Sequence, residues 1–558
     1  MQNLKMLEMN FDNENCNYSN NIKTDPKEDM FAELLRKTSV EDDQQDKDEI
    51  DSNAKRKACS YLCYNINTYL QIFFGTLFIV LALLLSRWSL FEIITTTRLR
   101  MTPKLPPYEL WAKPEPIIYC RVYLFTAVNG DAFLNGTDAK LKIKELGPIV
   151  FREQLEHNDI VRHENSTLSY TARRYLEFLP DMNEPGILDR HIIVPNIVLL
   201  GMVTKIADSL FTTKIPFNMI SRADKLFVNM TVSDYFWNFT TPALLTVDKY
   251  LPFLVPVDNG GTLHMVYKDF NDRINVRIGP KYNAQEFFTI NTFGYQKTVP
   301  GYQPERGDCY ADLMNSTEGA IYPNQVAKDV ILWYWRKSVC RPIPLYFEKE
   351  VQMGKLKAFK YVTHVDWYDR KENLTEDCYK GFGRTPLPDG LSDISKCYSG
   401  LPIAVSSPHF FGRSGIWDDK LEGFTPNYVD HGSYAIVEPV NGVPLDQKAR
   451  SQSNLVLPKL SGFSQEVNKF SEMIVPIIWC EYHLPEVTPS ITALLIFTSN
   501  YLPRLRYIVP VIFLILGLIL IYFVIKRLND DISLSGYSRV KLLWRREKNH
   551  YLRRSSNG

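Results

Sequence analysis

A chain of 558 residues with 64 Lys+Arg, 63 Asp+Glu and a formal net charge of +1 shows no bulk electrostatic pull toward nucleic acid or acidic substrates. Hydrophobic residues make up 45% and aromatics 13%, enough to fill a sizeable core. Where the apolar residues sit is more informative than how many there are.

Residues 1–64 hold fourteen acids and nine bases, include EDDQQDKDEID, and show no sustained apolar period. That composition predicts a disordered tail. Residues 65–88 follow, with the run YLQIFFGTLFIVLALLLSRW whose only charge is Arg87 near its far end. About 20 apolar residues suffice to cross roughly 30 Å of hydrocarbon as a helix. The run begins too deep in the chain for a cleaved signal peptide, so it reads as an uncleaved signal-anchor. A second run, YIVPVIFLILGLILIYFVI, covers residues 507–525. Tyr69, Trp88, Tyr507 and Tyr522 sit near the ends of the two runs, where amphipathic rings favour the lipid–water interface. A buried soluble helix is the competing reading, and runs this apolar disfavour it.

Residues 89–506 form the large segment between the spans, and most of it reads as strand. LKIKELGPIVFREQ, STLSYTARRYLEFLP, TLHMVYKDFNDRINVRIG, KLKAFKYVTHVDWY, YAIVEPVNGVPL and FSEMIVPIIWCEYHL are rich in β-branched and aromatic residues with polar breaks between them. One section differs. VPNIVLLGMVTKIADSLF places Leu199, Met202, Val203, Ile206 and Leu210 at helical spacing after a proline that suits a helix start. FNMISRADKLFV and SDYFWNF read as two further short helices. A helical insert at about 195–240 therefore interrupts a mostly antiparallel β domain, which makes the fold class α+β. No fixed-period repeat is visible.

Charge orients the chain. The tail at residues 526–558 carries nine Lys/Arg against three acids, which predicts that it is cytoplasmic. Lys55, Arg56 and Lys57 before the first span are countered by Arg98, Arg100 and Lys104 after it. Long loops translocate whatever their charge, so the second span is the better guide. Both tails inside and the large segment outside is the resulting topology. Cys120, Cys309, Cys340, Cys378, Cys397 and Cys480 lie in that outer segment, an even number suited to a disulfide framework. So do six Asn-x-Ser/Thr acceptors, at Asn135, Asn165, Asn229, Asn238, Asn315 and Asn373, whereas the one at Asn17 in the first tail reads as chance.

No His-Glu-x-x-His, Gly-x-Ser-x-Gly, paired CxxC or phosphate-cradling Gly-rich loop is present, and the nine His are scattered. The sequence therefore points away from an enzyme and toward no metal or cofactor. A trimeric two-span ion channel is a rival, but a pore helix needs polar lining groups. The second span offers only Pro510, Gly517 and two tyrosines. It reads as an anchor.

Eight passages, in order, resemble the class B scavenger receptors, the family of the fatty-acid translocase, the lysosomal integral membrane protein type 2, croquemort and the sensory neuron membrane proteins. They are PPYELWAKPEP, KELGPIVFREQ, VNMTVSDYFWNFTTPALL, GDCYADLMNSTEGAIYP, SVCRPIPLYFEKEV, DISKCYSGLPIAVSSPHFF, YAIVEPVNGVPLDQKARSQSNLVL and IVPIIW. The resemblance implies a large β-barrel-like ectodomain crowned by a helical bundle, with an apolar tunnel toward the membrane. It implies partners that are lipids, lipoproteins or lipid-bearing particles, with hydrophobic cargo (fatty acid, sterol or carotenoid) passed down the tunnel. The plasma membrane, with cycling through endosomes and lysosomes, is the implied location. A sorting receptor for a protein ligand in lysosomes or endosomes, and an apoptotic-cell receptor, are the alternatives within the same fold.

By motif position the resemblance pairs Cys309 with Cys378 and Cys340 with Cys397. A third bridge common in the family is missing, because no cysteine lies between Cys378 and Cys397. Cys120 and Cys480 lie at similar distances from the two spans, so a bridge between base strands is one reading and two buried thiols the other. The family receives ligands on basic and aromatic residues of the helical bundle. Here Lys205, Lys214, Arg222 and Lys225 are the candidate cations, and Phe211 and Phe217 the apolar lip. Cys59 and Cys63, just before the first span, are candidate palmitoylation sites. YSRV, from Tyr537 to Val540, matches a tyrosine-based endocytic signal for an adaptor on the second tail.

Overall fold

The computed structural model of the chain describes residues 66–88, 90–115, 117–222, 224–250, 259–268, 270–279, 281–282, 284–313, 315–381, 385–413, 415, 419–485 and 487–554. These fall into two compact units, one built from the described residues up to 88 with those from 505 onward and the other from those within 90–504. The expectations for the first tail, Cys59 and Cys63 among them, lie outside the described residues.

Two helical stretches, Ile66–Arg87 (α1) and Pro489–Asp530, are long and apolar enough to cross a membrane, and most of their side chains are unburied. The expected second span at residues 507–525 lies within the latter. In the unit made from the chain ends, α1 meets the helix that contains Gly517. A Cβ on Gly517 would lie 2.7 Å from the Ile79 side chain and 2.9 Å from the Gly75 carbonyl oxygen. Only glycine allows the two backbones so close, the small-residue contact by which helices pack in lipid. The Phe78 and Phe513 rings, 5.6 Å apart, flank the crossing.

The larger unit begins with α2 (Leu90–Leu99) and α3 (Pro106–Ala112), which lead into β1 (Ile118–Ala127). After the short α4 (Gly130–Asn135), two long strands run antiparallel, β2 (Leu141–His163) and β3 (Thr167–Phe178). A two-stranded ribbon of β4 (His191–Pro195) and β5 (Phe227–Thr231) frames the first helices, α5 (Ile197–Ile206) and α6 (Phe211–Ser221). Then come α7 (Val232–Trp237), α8 (Pro242–Tyr250) and α9 (Thr262–Tyr267). The strands resume with β6 (Asn271–Arg277), β7 (Ile290–Phe293), β8 (Ser316–Thr317), β9 (Leu332–Tyr334), β10 (Ile343–Met353) and β11 (Leu356–Val362). The rest is β12 (Ser392–Asp393), β13 (Ile403–Ser406), β14 (Leu421–Glu422), α10 (Tyr428–His431), β15 (Tyr434–Glu438), β16 (Val443–Val456), α11 (Gln465–Asn468), β17 (Ile474–Leu484), α12 (Pro489–Ile496) and α13 (Leu502–Arg554).

The main sheet runs β7-β6-β3-β2-β1-β17-β16-β15-β11-β10-β9-β8, nearly closed and barrel-like. Its middle is made by the two ends of the unit: β1 pairs antiparallel with β17, Cys120 facing Tyr482 and Val122 facing Cys480. Most of its pairings are antiparallel, as the alternating patterns predict.

The helical section extends to Tyr267, beyond the expected end near residue 240. The expected strand at 262–279 begins as α9 and becomes β6 only at Asn271. Leu263 and Tyr267, four apart and both buried, are the helical signal there. α5 has an Asn196 cap whose side chain accepts from the Leu199 amide, and all of its residues except Lys205 are buried. A helix apolar all round is one the fold must enclose. Two large apolar clusters result. One joins α5–α9 to β1, β2 and β17; the other, rich in aromatics, fills the barrel around Trp111, Tyr170, Phe288 and Trp335.

Candidate functional site

With α5 enclosed, the outer surface of the helical bundle comes from α6 and α8, which pack together. On α6, Lys214 and Phe217 face inward while Ile215 and Met219, four apart, face outward. Leu210 is 78% exposed, Met219 68% and Tyr250 67%, and Ile215 and Leu245 are also exposed. Apolar residues exposed on two packed helices make this surface a candidate for an apolar partner. Lys249 lies with its ammonium 5.1 Å from the Tyr250 ring centre, and Arg222 and Lys225 are exposed at the end of α6 and just beyond it.

Between the two apolar clusters lies a buried polar bar. Glu153 of β2 accepts from both terminal nitrogens of Arg336, from Arg174 at 3.4 Å and from the Tyr267 hydroxyl at 3.1 Å. Arg174 also donates to Glu318 at 3.1 Å, and the Tyr170 hydroxyl donates to the same carboxylate at 2.7 Å. The Arg336 guanidinium lies 3.7 Å over the Tyr482 ring. Burial alone would push the Glu153 carboxyl up, but Arg336 and Arg174 more than offset it and hold the pKa below the usual carboxylate range.

A second polar group joins β2, β17 and the turn after β13. Glu145 accepts from Trp479 Nε1 at 2.6 Å and pairs with His409 Nε2 at 2.7 Å. Because the Thr425 amide donates to His409 Nδ1 at 3.0 Å, the His409 proton sits on Nε2. The His409 ring stacks on His431, 4.4 Å between centres, and Trp479 stacks on Tyr123 at 3.7 Å. Burial, and then His409 beside it, pushes the His431 pKa down to about 4.

A cavity of about 40 Å³ lies among β9, β10, β15 and β16, with Tyr334, Ile343, Ala435 and Ala449 in its wall. It is far smaller than an extended acyl chain. Among the described residues no group of three or more His, Cys, Asp or Glu is arranged to hold a metal.

The residues named from sequence are dispersed. Lys214 is buried, its ammonium donating to the Ala207 and Ser461 carbonyls at 2.6 and 2.9 Å, so it fastens α6 and is no surface cation. Phe217 is buried in the core and forms no lip. Lys205 reaches across to the Ser399 carbonyl at 3.0 Å, and burial lowers its pKa. Phe211 opens α6, but its side chain lies outside the described residues. Of the five whose side chains are described, Arg222 and Lys225 alone stand exposed. The outward apolar residues Leu210, Ile215, Met219, Leu245 and Tyr250 were missed. The Ile215/Met219 spacing was their signal, hidden by the inward pair Lys214/Phe217 on the same short helix.

Cys309 is joined to Cys378 and Cys340 to Cys397, with Cα–Cα distances of 5.3 and 6.2 Å. Cys120 and Cys480 are free, buried thiols and not a bridge. The register makes them diagonal neighbours across β1 and β17, where the two thiols meet in a side-chain hydrogen bond without being joined. All six acceptor asparagines in the larger unit are exposed. Tyr537 and Val540 lie within α13, and their side chains are outside the described residues.

Comparison with known proteins resolves the family. The CD36 family model matches residues 71–528. The chain belongs to the CD36 family. Scavenger receptor class B member 1 of Rattus norvegicus is 22% identical over 396 residues, covering 70% of this chain and 75% of that protein. Lysosome membrane protein 2 of Homo sapiens is 22% identical, covering 75% and 86%. Sensory neuron membrane protein 1 of Antheraea polyphemus is 24% identical, covering 70% and 78%. With its two apolar helices, this CD36 family chain is a membrane protein with two spans.

Proposed function

We propose that the chain is a scavenger receptor that binds lipids or lipoproteins at the helical apex and passes hydrophobic cargo through the barrel to the membrane. The family match over most of the chain carries this reading. The exposed apolar residues of α6 and α8 support the apex as the receiving surface. The two apolar clusters, one beneath the helices and one in the barrel, support a path on which cargo is spared re-exposure to water, about 25 cal/mol per Å² of apolar surface. The role needs no catalysis.

In this reading both tails are cytoplasmic, the six exposed asparagines carry glycans, and the receptor works at the plasma membrane and cycles through endosomes. A bundle that received its ligand through Arg222 and Lys225 as well would favour anionic particles. Lipid extraction and mass spectrometry on the secreted, detergent-free segment 90–504 tests cargo carriage. Bound sterol, carotenoid or fatty acid is the expected result. Lipid-free protein in repeated preparations, with no lipoprotein captured by the apex, contradicts it. Mainly lysosomal staining of the full chain, unaffected by Tyr537→Ala, would favour the alternative of a sorting receptor for a protein ligand.

A further inference from the structure

Beyond the second span, α13 continues as one helix to Arg554, about 44 Å past Ile525 at roughly 1.5 Å per residue. Its charge is segregated along that length. Lys526 and Arg527 close the span, and residues 528–536 (LNDDISLSG) carry two acids and no base. Residues 537–554 (YSRVKLLWRREKNHYLRR) carry seven Lys/Arg against Glu547 alone. The middle stretch is also the weak part of the helix. Asn529, Asp530, Asp531, Ser533, Ser535 and Gly536 are all poor helix formers, and a glycine beside a serine is a common place for a bend. Opened to coil, those nine residues reach about 30 Å, enough to turn the basic stretch back alongside the bilayer.

In the basic stretch the turn of the helix sorts the residues. Tyr537, Val540, Trp544 and Tyr551 are three, four and seven apart and fall on one line. Arg539, Arg546 and Arg553, seven apart, fall on the opposite side. Lys541 and Lys548 border the apolar line, and Leu542 lies out of pattern among the arginines. Trp544 is 66% exposed. Two occupants could cover such a line, a second helix or a lipid surface. Continued at heptad spacing, the line takes in Glu547 and Arg554, so a coiled coil with a second copy would bury charge in its seam. A helix lying in the plane of a leaflet buries no such seam. Trp and Tyr favour the head-group layer, and the excess of base matches an anionic surface to which the chain is already tethered.

We propose that residues 537–554 are a basic amphipathic helix that docks on the anionic leaflet of the membrane the chain spans. The joint at 528–536 lets it lie flat, with its acids keeping that stretch off the anionic surface. Docking has a consequence for trafficking. Tyr537 and Val540, the two fixed positions of the Tyr-x-x-apolar signal, both belong to the lipid-facing line. The docked helix therefore withholds the signal from an adaptor, and the released helix presents it. The use of the signal rests on the proposed cytoplasmic placement of this tail; the lipid contact does not.

The test places the full chain in nanodiscs of phosphatidylcholine, alone or with about 30% phosphatidylserine, and reads amide hydrogen exchange over residues 537–554. Both faces of a disc have one composition, so the result does not depend on which side the tail takes. Exchange is expected to slow about tenfold or more in the anionic discs, and the slowing to vanish near 1 M salt, where the Debye length is about 3 Å. Arg539→Gln with Arg546→Gln and Arg553→Gln keeps helix propensity and is expected to abolish the slowing. In cells the same variant is expected to internalise faster than wild type, and adding Tyr537→Ala to remove the gain. Equal exchange in the two discs, as pairing with a second copy would give, overturns the inference, as does slowing that survives the three substitutions. Unchanged internalisation of the variant overturns the masking of the signal. Lipoprotein binding by the apex is expected to be the same in wild type and variant, so failure here leaves the lipid-receptor reading standing.

Discussion

His157→Gln measures how far one buried imidazole sets the acid stability of the barrel. His157 stacks on Trp111, 4.5 Å between ring centres and 23° between planes, and meets Tyr170 edge-on at 4.8 Å. Its Nδ1 lies 2.8 Å from the Trp111 carbonyl oxygen, to which it donates. Burial pushes its pKa down to about 4, against upward pulls from Glu318 and the Trp111 carbonyl. An unfolded imidazole takes up its proton near pH 6.5 and the native one only near 4, so the unfolded state binds more protons between those values. Stability therefore falls as pH drops through that window, by at most about 3 kcal/mol, and levels off below it. Glutamine keeps a donor for the Trp111 carbonyl and removes the titration. Urea unfolding of the purified full chain, followed by tryptophan fluorescence from pH 7.5 to 4, gives both curves. His431, also near 4, contributes to both proteins, so their difference isolates His157. Parallel pH slopes in wild type and variant would refute the reasoning.

Three further outcomes follow from the same contacts. Glu153→Gln leaves Arg336 and part of the Arg174 charge uncompensated in the core and is expected to cost about 3–5 kcal/mol, read from the denaturation midpoint. Removing the Cys340–Cys397 bridge by a double alanine substitution opens a 57-residue loop and is expected to cost about 4 kcal/mol in the chain-entropy model, with reduced secretion as the accompanying readout. Met219→Glu with Tyr250→Ser changes exposed positions only, so stability should move by less than about 0.5 kcal/mol while lipoprotein binding, measured by surface plasmon resonance, drops at least tenfold.

The sequence made the strand framework legible because the alternation in β2, β11 and β15 follows directly from half-buried sheet faces, while β17, buried on both faces, shows as a continuous apolar run. It made α5 legible through helical spacing, and the spans through length and apolarity. The long reach of the helical section was hidden because Leu263 and Tyr267 sit in a stretch whose composition also suits a strand. The apex was misread for a different reason. A lysine and a phenylalanine on α6 suggest a receiving surface by residue type, but the turn of a helix decides which side they take, and both went inward. Cys120 and Cys480 show the same limit: similar distance from the spans brought them to neighbouring strands, but only the structure shows that they meet as free thiols and not as a bridge. The polar bar of Glu153, Arg174 and Arg336 joins residues up to 183 positions apart, beyond the reach of any local pattern.

The most direct test of a lipid-passing receptor is uptake. Cells expressing the full chain are offered lipoprotein carrying a labelled sterol ester in its core and a labelled protein shell, beside cells expressing the Met219→Glu, Tyr250→Ser variant at equal surface density. Sterol label is expected to enter wild-type cells in excess of vector controls and to fall to control level in the variant. Equal uptake in all three populations, with the chain at the cell surface, would contradict the proposed function.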